Sequence, residues 1–465
     1  MNKRLVIIVL IGILVRIIIQ FGWPSFNYDE ITLGHNIKGK GFLDLLKPLD
    51  NYQSAPPLFL ITQKLIYLLT FIPLIYRFKL LSFIVSSLIL VLVYKILESK
   101  SYSESAKNFI LICFSLSPYL LYNSLTLKQY GFDLLGLLFT YHLIAHKNNN
   151  KILFLSFLVW PLFSNIGLFF AMAYTAINVI KNSNLNSKKL QISWSSFKYS
   201  LGVLLYSIYF IWYSIQPGST EMKLYMQKWW SHNFIPLDFS ILKYIQITIH
   251  GFSVYFFSSI HVIGYITFVL FLFGLYLFFK TKSYLKLSNI YLVLGVLIHL
   301  ILNIFKLYPF SDRLYLYLAV LFYFGIGYVI NHTKKVNLVK IPFYLMILSW
   351  FLYLGNLTNN IIHLEERLKT IKSNGVIISQ HAHSYVKNFY SFTEYDQEDT
   401  ISYQVVSKLE QTQSKSGYIY ISRVAPKFGH SGKTGPKERI TNDLLSLKKI
   451  SLLEKIDGYD IYRVE

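Results

Sequence analysis

The residues best suited to chemistry stand in Asn27-Tyr28-Asp29-Glu30, two adjacent carboxylates just past a membrane-length apolar run. Such a pair can accept a proton from an attacking hydroxyl, orient an amine, or share a divalent cation. Cations that could neutralise a phosphate leaving group lie at Lys128 (with Tyr130 and Asp133), at Lys223 or Lys228, and at Lys306 with Arg313. Ionisable groups at a membrane boundary are costly to keep there, which makes each a candidate. Every one also has a structural reading. Asp29 could cap a helix starting near Ile31, and Tyr130 and Asp133 could be packing and helix-start residues. Lys306 and Arg313 could snorkel at span ends, and Asp312 beside Arg313 could be a surface ion pair worth under about 1 kcal/mol. His35, His142, His146, His250 and His261 are scattered. His142/His146 and His381-Ala382-His383 have ligand-like spacing without accompanying carboxylates and read as surface pairs. The single cysteine, Cys113, rules out an intrachain disulfide or a cysteine-built zinc site.

The elements that must position these groups are membrane spans. Of 465 residues, 54% are hydrophobic and only 15% charged, against about 25% charged in soluble domains. The net charge of +22 is concentrated in residues 1–359, with 30 Lys+Arg and 10 Asp+Glu; residues 360–465 hold 15 and 13. That bias fits cations fixing orientation between spans and facing anionic headgroups, and it argues against nucleic acid as a partner.

Lys3 and Arg4 put the N-terminus in the cytoplasm, so Leu5–Trp23 delivers the first loop, 24–56, to the outside. Further runs are Pro57–Tyr76, Leu80–Leu97, Phe109–Leu125, Tyr130–His146, Ile152–Ile180, Phe197–Ile215, Phe252–Phe279, Ile290–Phe305, Leu314–Ile330 and Ile341–Leu357. If the first two of these both cross, Lys128 faces the cytoplasm. If Pro57–Tyr76, with Thr62, Gln63 and Lys64 mid-run and Pro73 near its end, is a partial segment, every strongly basic linker lies inside and Lys128 joins Asp29 outside. We adopt the second arrangement. Ile152–Ile180 is overlong and carries Pro161, Ser164 and Asn165, which suits a hairpin of two short helices. The expected fold is therefore mainly α, about 11 spans plus partial or interfacial helices. A later outer loop, 217–250, carries Trp229 and Trp230, a pair suited to a headgroup-level helix.

Beyond Asn360 charge becomes frequent and apolar runs shorten to strand length at Val376–Ser379, Tyr418–Ser422 and Tyr459–Val464. Helical patterns at Ser384–Tyr390 and Asn442–Lys448 complete a small extracytoplasmic α/β domain over 360–465. Gly429–Pro436 contains Gly-Lys-Thr, but Lys427 stands where a phosphate-binding loop needs its first glycine, so it reads as an ordinary loop.

Several motifs occur in a recognisable order. They are Tyr28-Asp29-Glu30, Ala55-Pro56-Pro57-Leu58, the run from Lys79 to Tyr94, Ser117-Pro118, Ser124 through Tyr130, and Tyr308-Pro309-Phe310-Ser311-Asp312-Arg313-Leu314. Together they resemble the GT-C superfamily of integral-membrane glycosyltransferases, in particular the family-39 protein O-mannosyltransferases and aminoarabinose transferases. Leu125, Thr126 and Lys128 depart from the family's usual Gln, Glu and Arg, so any contact made by that Glu is absent or supplied elsewhere. The resemblance implies Asp29 as catalytic carboxylate, and Lys128 and Arg313 as contacts to a donor phosphate. It also implies a polyprenyl-phosphate sugar as donor.

The expected function is transfer of that sugar to a glycan, lipid or protein acceptor at the outer face of a bacterial cytoplasmic membrane. Asp29 and Glu30 would be catalytic, with Lys128, Tyr130, Lys306 and Arg313 binding substrate. Asp29 and Glu30 are also the possible ligands of a divalent ion, should one be used. The alternative is a lipid-linked glycan flippase or a polysaccharide polymerase. Transporters often carry internal repeats and mid-membrane charges, whereas here no repeat is visible and the charges gather at one boundary.

Overall fold

A computed structural model describes residues 2–22, 28–146, 150–182, 198–258, 260–310, 312–333 and 336–359, with five strands farther on. The expected helices at Ser384–Tyr390 and Asn442–Lys448, the Gly429–Pro436 loop and His381/His383 lie outside the described residues. The chain divides into two compact units: Met1–Gly22 with Leu33–Tyr353, and Trp23–Thr32 with Leu354–Glu465.

The first unit is helical. Four of its helices are long and apolar enough to cross a membrane: Tyr76–Ser99, His261–Lys280, Leu287–Ile304 and Leu314–His332. The protein is a membrane protein. Helix α1 (Lys3–Gly22) presents Ile7, Leu10, Ile11, Leu14 and Ile18 outward, a continuous apolar stripe. Its other face carries Arg16, which is fully buried against α5 (Glu104–Leu116).

That arginine accounts for a break. The expected span Phe109–Leu125 is two helices, α5 and α6 (Pro118–Leu125), hinged at Ser117. Pro118 has no N–H to continue the ladder, which leaves carbonyls at the end of α5 without their helical donors. In a bilayer such groups need a partner from the protein. Arg16 supplies it, with Nη1 donating to Ser115 O at 3.0 Å and Nη2 to Phe114 O at 3.0 Å. The Tyr323 hydroxyl reaches Ser117 Oγ at 2.8 Å from the other side.

The partial segment is short, as its polar residues suggest. Helix α3 spans only Pro57–Tyr67, about 16 Å long and roughly half the thickness of a hydrocarbon core. Its polar side chains tie it to its neighbours. Gln63 donates to Arg77 O at 3.0 Å, at the start of α4 (Leu74–Ser99). Lys64 Nζ donates to Ile37 O at 2.7 Å and Lys38 O at 3.1 Å, capping the C-terminal turn of α2 (Tyr28–Gly39).

The long run Ile152–Ile180 is the expected hairpin. Helices α8 (Asn150–Phe163) and α9 (Asn165–Asn182) reverse at Ser164, whose Oγ caps Gly167 N at 3.1 Å. Phe157 and Tyr174 stack across it at 4.9 Å. Helix α10 (Leu201–Ser214) approaches α8 so closely at Gly202 that a Cβ there would lie 2.0 Å from Phe157 O. α7 (Tyr130–His146) packs among α4, α8 and α14 (Leu287–Ile304).

The segment 217–250 holds a helix that ends at its tryptophan pair, α11 (Ser219–Trp229), and a second, α12 (Ile241–Phe252). One expectation is corrected. The run Phe252–Phe279 is not one span: a π-helical turn at Ser253–Phe257 and the extended Ser258 separate α12 from α13 (His261–Lys280). Uninterrupted apolar character across 252–279 hid the break, because Ser253 and Ser258 are both buried in protein. After α14, a 3₁₀ segment Asp312–Leu318 leads into α15 (Ala319–His332), and α16 (Val336–Asn359) follows.

In the second unit, strands β1 (Val376–Ser379), β2 (Tyr403–Val406), β3 (Ile419–Arg423), β4 (Ile450–Ile456) and β5 (Tyr459–Val464) form one mixed sheet in the order β2-β1-β3-β5-β4. β1 pairs parallel with β2 and β3, and β5 pairs antiparallel with β3 and β4. β1, β3 and β5 lie where the apolar runs predict them. β2 and β4 carry Gln404, Glu454 and Lys455, and escape a search for apolar runs.

Candidate active site

Asp29 and Glu30 lie in the first turn of α2. The helix begins at Tyr28, three residues before the expected start near Ile31, so Asp29 stands inside its first turn and not at the cap position. Its side chain lies outside the described residues. Glu30 is buried, with 3% of its surface exposed. The second half of α2 is pinned from the first unit by Lys64 and by Asn36, which clamps Asp50: Asp50 N donates to Asn36 Oδ1 at 2.8 Å. Lys40 adds an ion pair to Asp50 at 3.0 Å.

Lys128 sits between α6 and α7 on a non-helical connection, because Thr126 is extended (φ −81°, ψ 141°). Ser82 of α4 donates to Thr126 O at 2.6 Å and holds that connection. The Lys128 side chain is buried, and its Nζ donates to Gln53 Oε1 at 2.8 Å. The segment 24–56 and the Ser124–Tyr130 motif thus meet through a buried ammonium. Asn51 and Tyr52, just before Gln53, both have left-handed backbones (φ 57° and 53°). Each such residue costs on the order of 1–3 kcal/mol, and such strain gathers at functional sites. Tyr52 also stacks on Tyr225 of α11 at 4.3 Å, so α11 covers this loop.

The Tyr308-Pro309-Phe310 motif closes the cluster. Tyr308 lies near Tyr130, Asp133 and Asn165. Burial, then the charges of Asp133 and Tyr130, push its hydroxyl well above the ordinary phenol value, and Asn165's hydrogen bond works the other way. Tyr308 therefore stays protonated and can donate. Asp133 accepts from Ser164 at the α8–α9 reversal. Asn165 also accepts from Tyr206 of α10 at 2.7 Å and lines an open cleft with Lys47, Ser54, Pro56, Tyr206 and Tyr209. That cleft adjoins the Lys128 contact through Ser54, the residue after Gln53.

Lys306 is exposed and left-handed (φ 58°) at the start of the same loop, and its ammonium makes no hydrogen bond or ion pair among the described residues. Arg313 lies in the 3₁₀ segment after it, its side chain outside the described residues. Lys223 and Lys228 are exposed on α11. The structure thus brings together Lys128, Tyr130, Asp133 and the Tyr308 motif. Among the described residues no group of three or more His, Cys, Asp or Glu could hold a metal ion.

Sequence reasoning missed His299 and Asn303, both fully buried on α14. His299 Nε2 donates to Pro309 O at 3.1 Å while Nδ1 meets the Tyr317 hydroxyl at 2.7 Å. Asn303 donates to Asn233 O at 2.9 Å and Tyr308 O at 3.2 Å, and accepts from Ile235 N at 2.8 Å. Together they fix the loop carrying Lys306 and Tyr308. Two polar residues four apart in an apolar span were the available signal.

No family model matches the chain, and no curated protein does. It is similar to crystal structures of the Archaeoglobus fulgidus oligosaccharyltransferase. The form with zinc and sulfate has 12% identity and a TM-score of 0.40, covering 83% of this chain and 61% of that one. The apo form has 11% identity and a TM-score of 0.41, covering 83% and 63%. The chain spans about three fifths of the length of the solved chains it matches.

Proposed function

We propose that this protein is a membrane glycosyltransferase of the GT-C type. It would move a sugar from a polyprenyl-phosphate donor to a glycan, lipid or protein acceptor at the outer face of a cytoplasmic membrane. The observation that carries the reading is the convergence of separate motifs: Lys128 meets the segment 24–56 at Gln53, and Tyr308 hydrogen-bonds Asn165, the residue after the Ser164 that donates to Asp133. A buried ammonium where two motifs meet is suited to a phosphate that gains charge as its bond to the sugar breaks. Asp29 acts as base on the acceptor hydroxyl or orients an acceptor amine, and Glu30 assists it. Lys128 and Arg313 take up the charge of the departing lipid phosphate. Tyr130 and Lys306 complete the substrate contacts, with Lys306 on the solvent side. Residues 360–465 form a small outer domain.

The test is Asp29→Asn, which keeps size and removes the basic oxygen. Transfer of labelled sugar is lost while purification yield and melting temperature stay at wild-type values. Near-normal turnover by a folded Asp29→Asn protein removes Asp29 from the chemistry.

A further inference from the structure

We propose that residues 235–249 form a membrane-interface anchor, a segment that seats in the lipid leaflet and holds the Lys306–Phe310 loop in place. Helix α12 has three faces. One packs on protein: the Tyr244 hydroxyl reaches Asn233 O and Phe310 O, each at 3.4 Å, and Phe252 meets Tyr315 at 4.9 Å. A second is polar, with Lys243 and Gln246. The third is apolar and uncovered, with Leu242 at 73% and Ile245 at 45% exposure and the half-buried Ile249 one turn on. The connection leading into the helix adds Leu237 at 82% and Phe239 at 99%. Large side chains so exposed side by side need a partner that is not water.

The geometry assigns that partner as lipid. Helix α12 ends beside the start of α13, where His250 and His261 stack at 4.8 Å and His250 Nδ1 meets the Tyr265 hydroxyl at 2.9 Å. α13 then exposes Val262, Ile266 and Val269, as a membrane-crossing helix must. The uncovered edge of α12 therefore borders a lipid-facing surface. Lys243 on the adjacent polar face suits anionic headgroups. The anchor is bolted to the candidate site through backbone groups, because Phe310 N donates to Asn233 O at 3.2 Å and Ile235 N to Asn303 Oδ1 at 2.8 Å. Seating 235–249 in lipid thereby sets the height of the 306–310 loop. The lipid contact itself does not depend on the reaction proposed above.

Site-directed spin labelling tests both halves, and the sole native cysteine, Cys113, is buried out of reach of the label. Labels at Phe239→Cys and Leu242→Cys are compared with Val269→Cys, facing lipid, and Glu221→Cys, facing water. All are measured in phosphatidylethanolamine–phosphatidylglycerol vesicles. Phe239 and Leu242 should show the oxygen-over-nickel-chelate collision preference of Val269. Accessibility matching Glu221 overturns the anchor, and exclusion of both reagents with dipolar broadening assigns the face to a second copy instead. For the second half, a label at Leu307→Cys should sharpen when Phe239 and Leu242 are both changed to Asp. An unchanged Leu307 line shape refutes the coupling to the loop.

Discussion

Replacing Arg16 with methionine removes the donor that satisfies the broken end of α5, and its cost can be worked from the hydrogen bonds. Two interhelical acceptors, Phe114 O and Ser115 O, lose their guanidinium donors at 3.0 Å each. A buried polar group left without its partner costs about 1–3 kcal/mol, which gives about 2–6 kcal/mol for the pair. Interhelical hydrogen bonds in membrane proteins average nearer 0.6 kcal/mol with a maximum of about 1.7, so about 1–3 kcal/mol is the lower range. We expect about 3 kcal/mol, roughly a hundredfold in the folding equilibrium. Reversible unfolding in mixed micelles reads it as a lower midpoint with an unchanged slope. Arg16→Lys, which keeps one donor and a charge, should recover about half of the loss. An Arg16→Met protein as stable as wild type would refute the idea that this arginine secures the α5–α6 hinge. It would also leave the bend at Ser117 to Pro118 and Tyr323 alone.

Other outcomes follow from close contacts and from the buried polar cluster. Gly202→Ala places a Cβ 2.0 Å from Phe157 O, and since backbone cannot yield as a side chain does, about 1–3 kcal/mol of stability is lost; a thermal melt checks it. Asn303→Leu frees Ile235 N, Asn233 O and Tyr308 O, so amide exchange in 233–235 should rise and stability fall by about 2–4 kcal/mol. Lys128→Gln should weaken retention of a polyprenyl-phosphate sugar at least tenfold, with Lys128→Arg retaining most of it, measured by filter binding. Equal binding by Lys128→Gln and wild type takes that ammonium out of the donor site.

How much of this was legible follows from how local each signal was. Pro161, Ser164 and Asn165 interrupt an overlong apolar run, and a hairpin sits there. Thr62, Gln63 and Lys64 interrupt the apolar run Pro57–Tyr76, and helix α3 there covers only Pro57–Tyr67. The strands at Val376–Ser379 and Tyr459–Val464 stand out as apolar runs in a charged stretch. The roles of Arg16, His299 and Asn303 were not legible, because each is defined by partners from other elements: Ser115, Tyr317 and Asn233. The separation of α12 from α13 was hidden for a related reason, since buried Ser253 and Ser258 do not interrupt hydropathy. Within the candidate site, Lys128 and Tyr130 could be picked from their motif. That Gln53 would hold Lys128 could not, since it needs the first outer loop folded back across 75 positions of sequence.

The proposed transfer requires that this chain break the bond between a sugar and a lipid phosphate. The direct measurement places the purified protein in vesicles with a polyprenyl-phosphate sugar, labelled in both the lipid and the sugar, and an acceptor-containing membrane extract. Free polyprenyl phosphate should appear in step with labelled acceptor, with both signals lost in Asp29→Asn. Movement of intact lipid-linked sugar between leaflets, with no polyprenyl phosphate released, would contradict the account and identify a transporter.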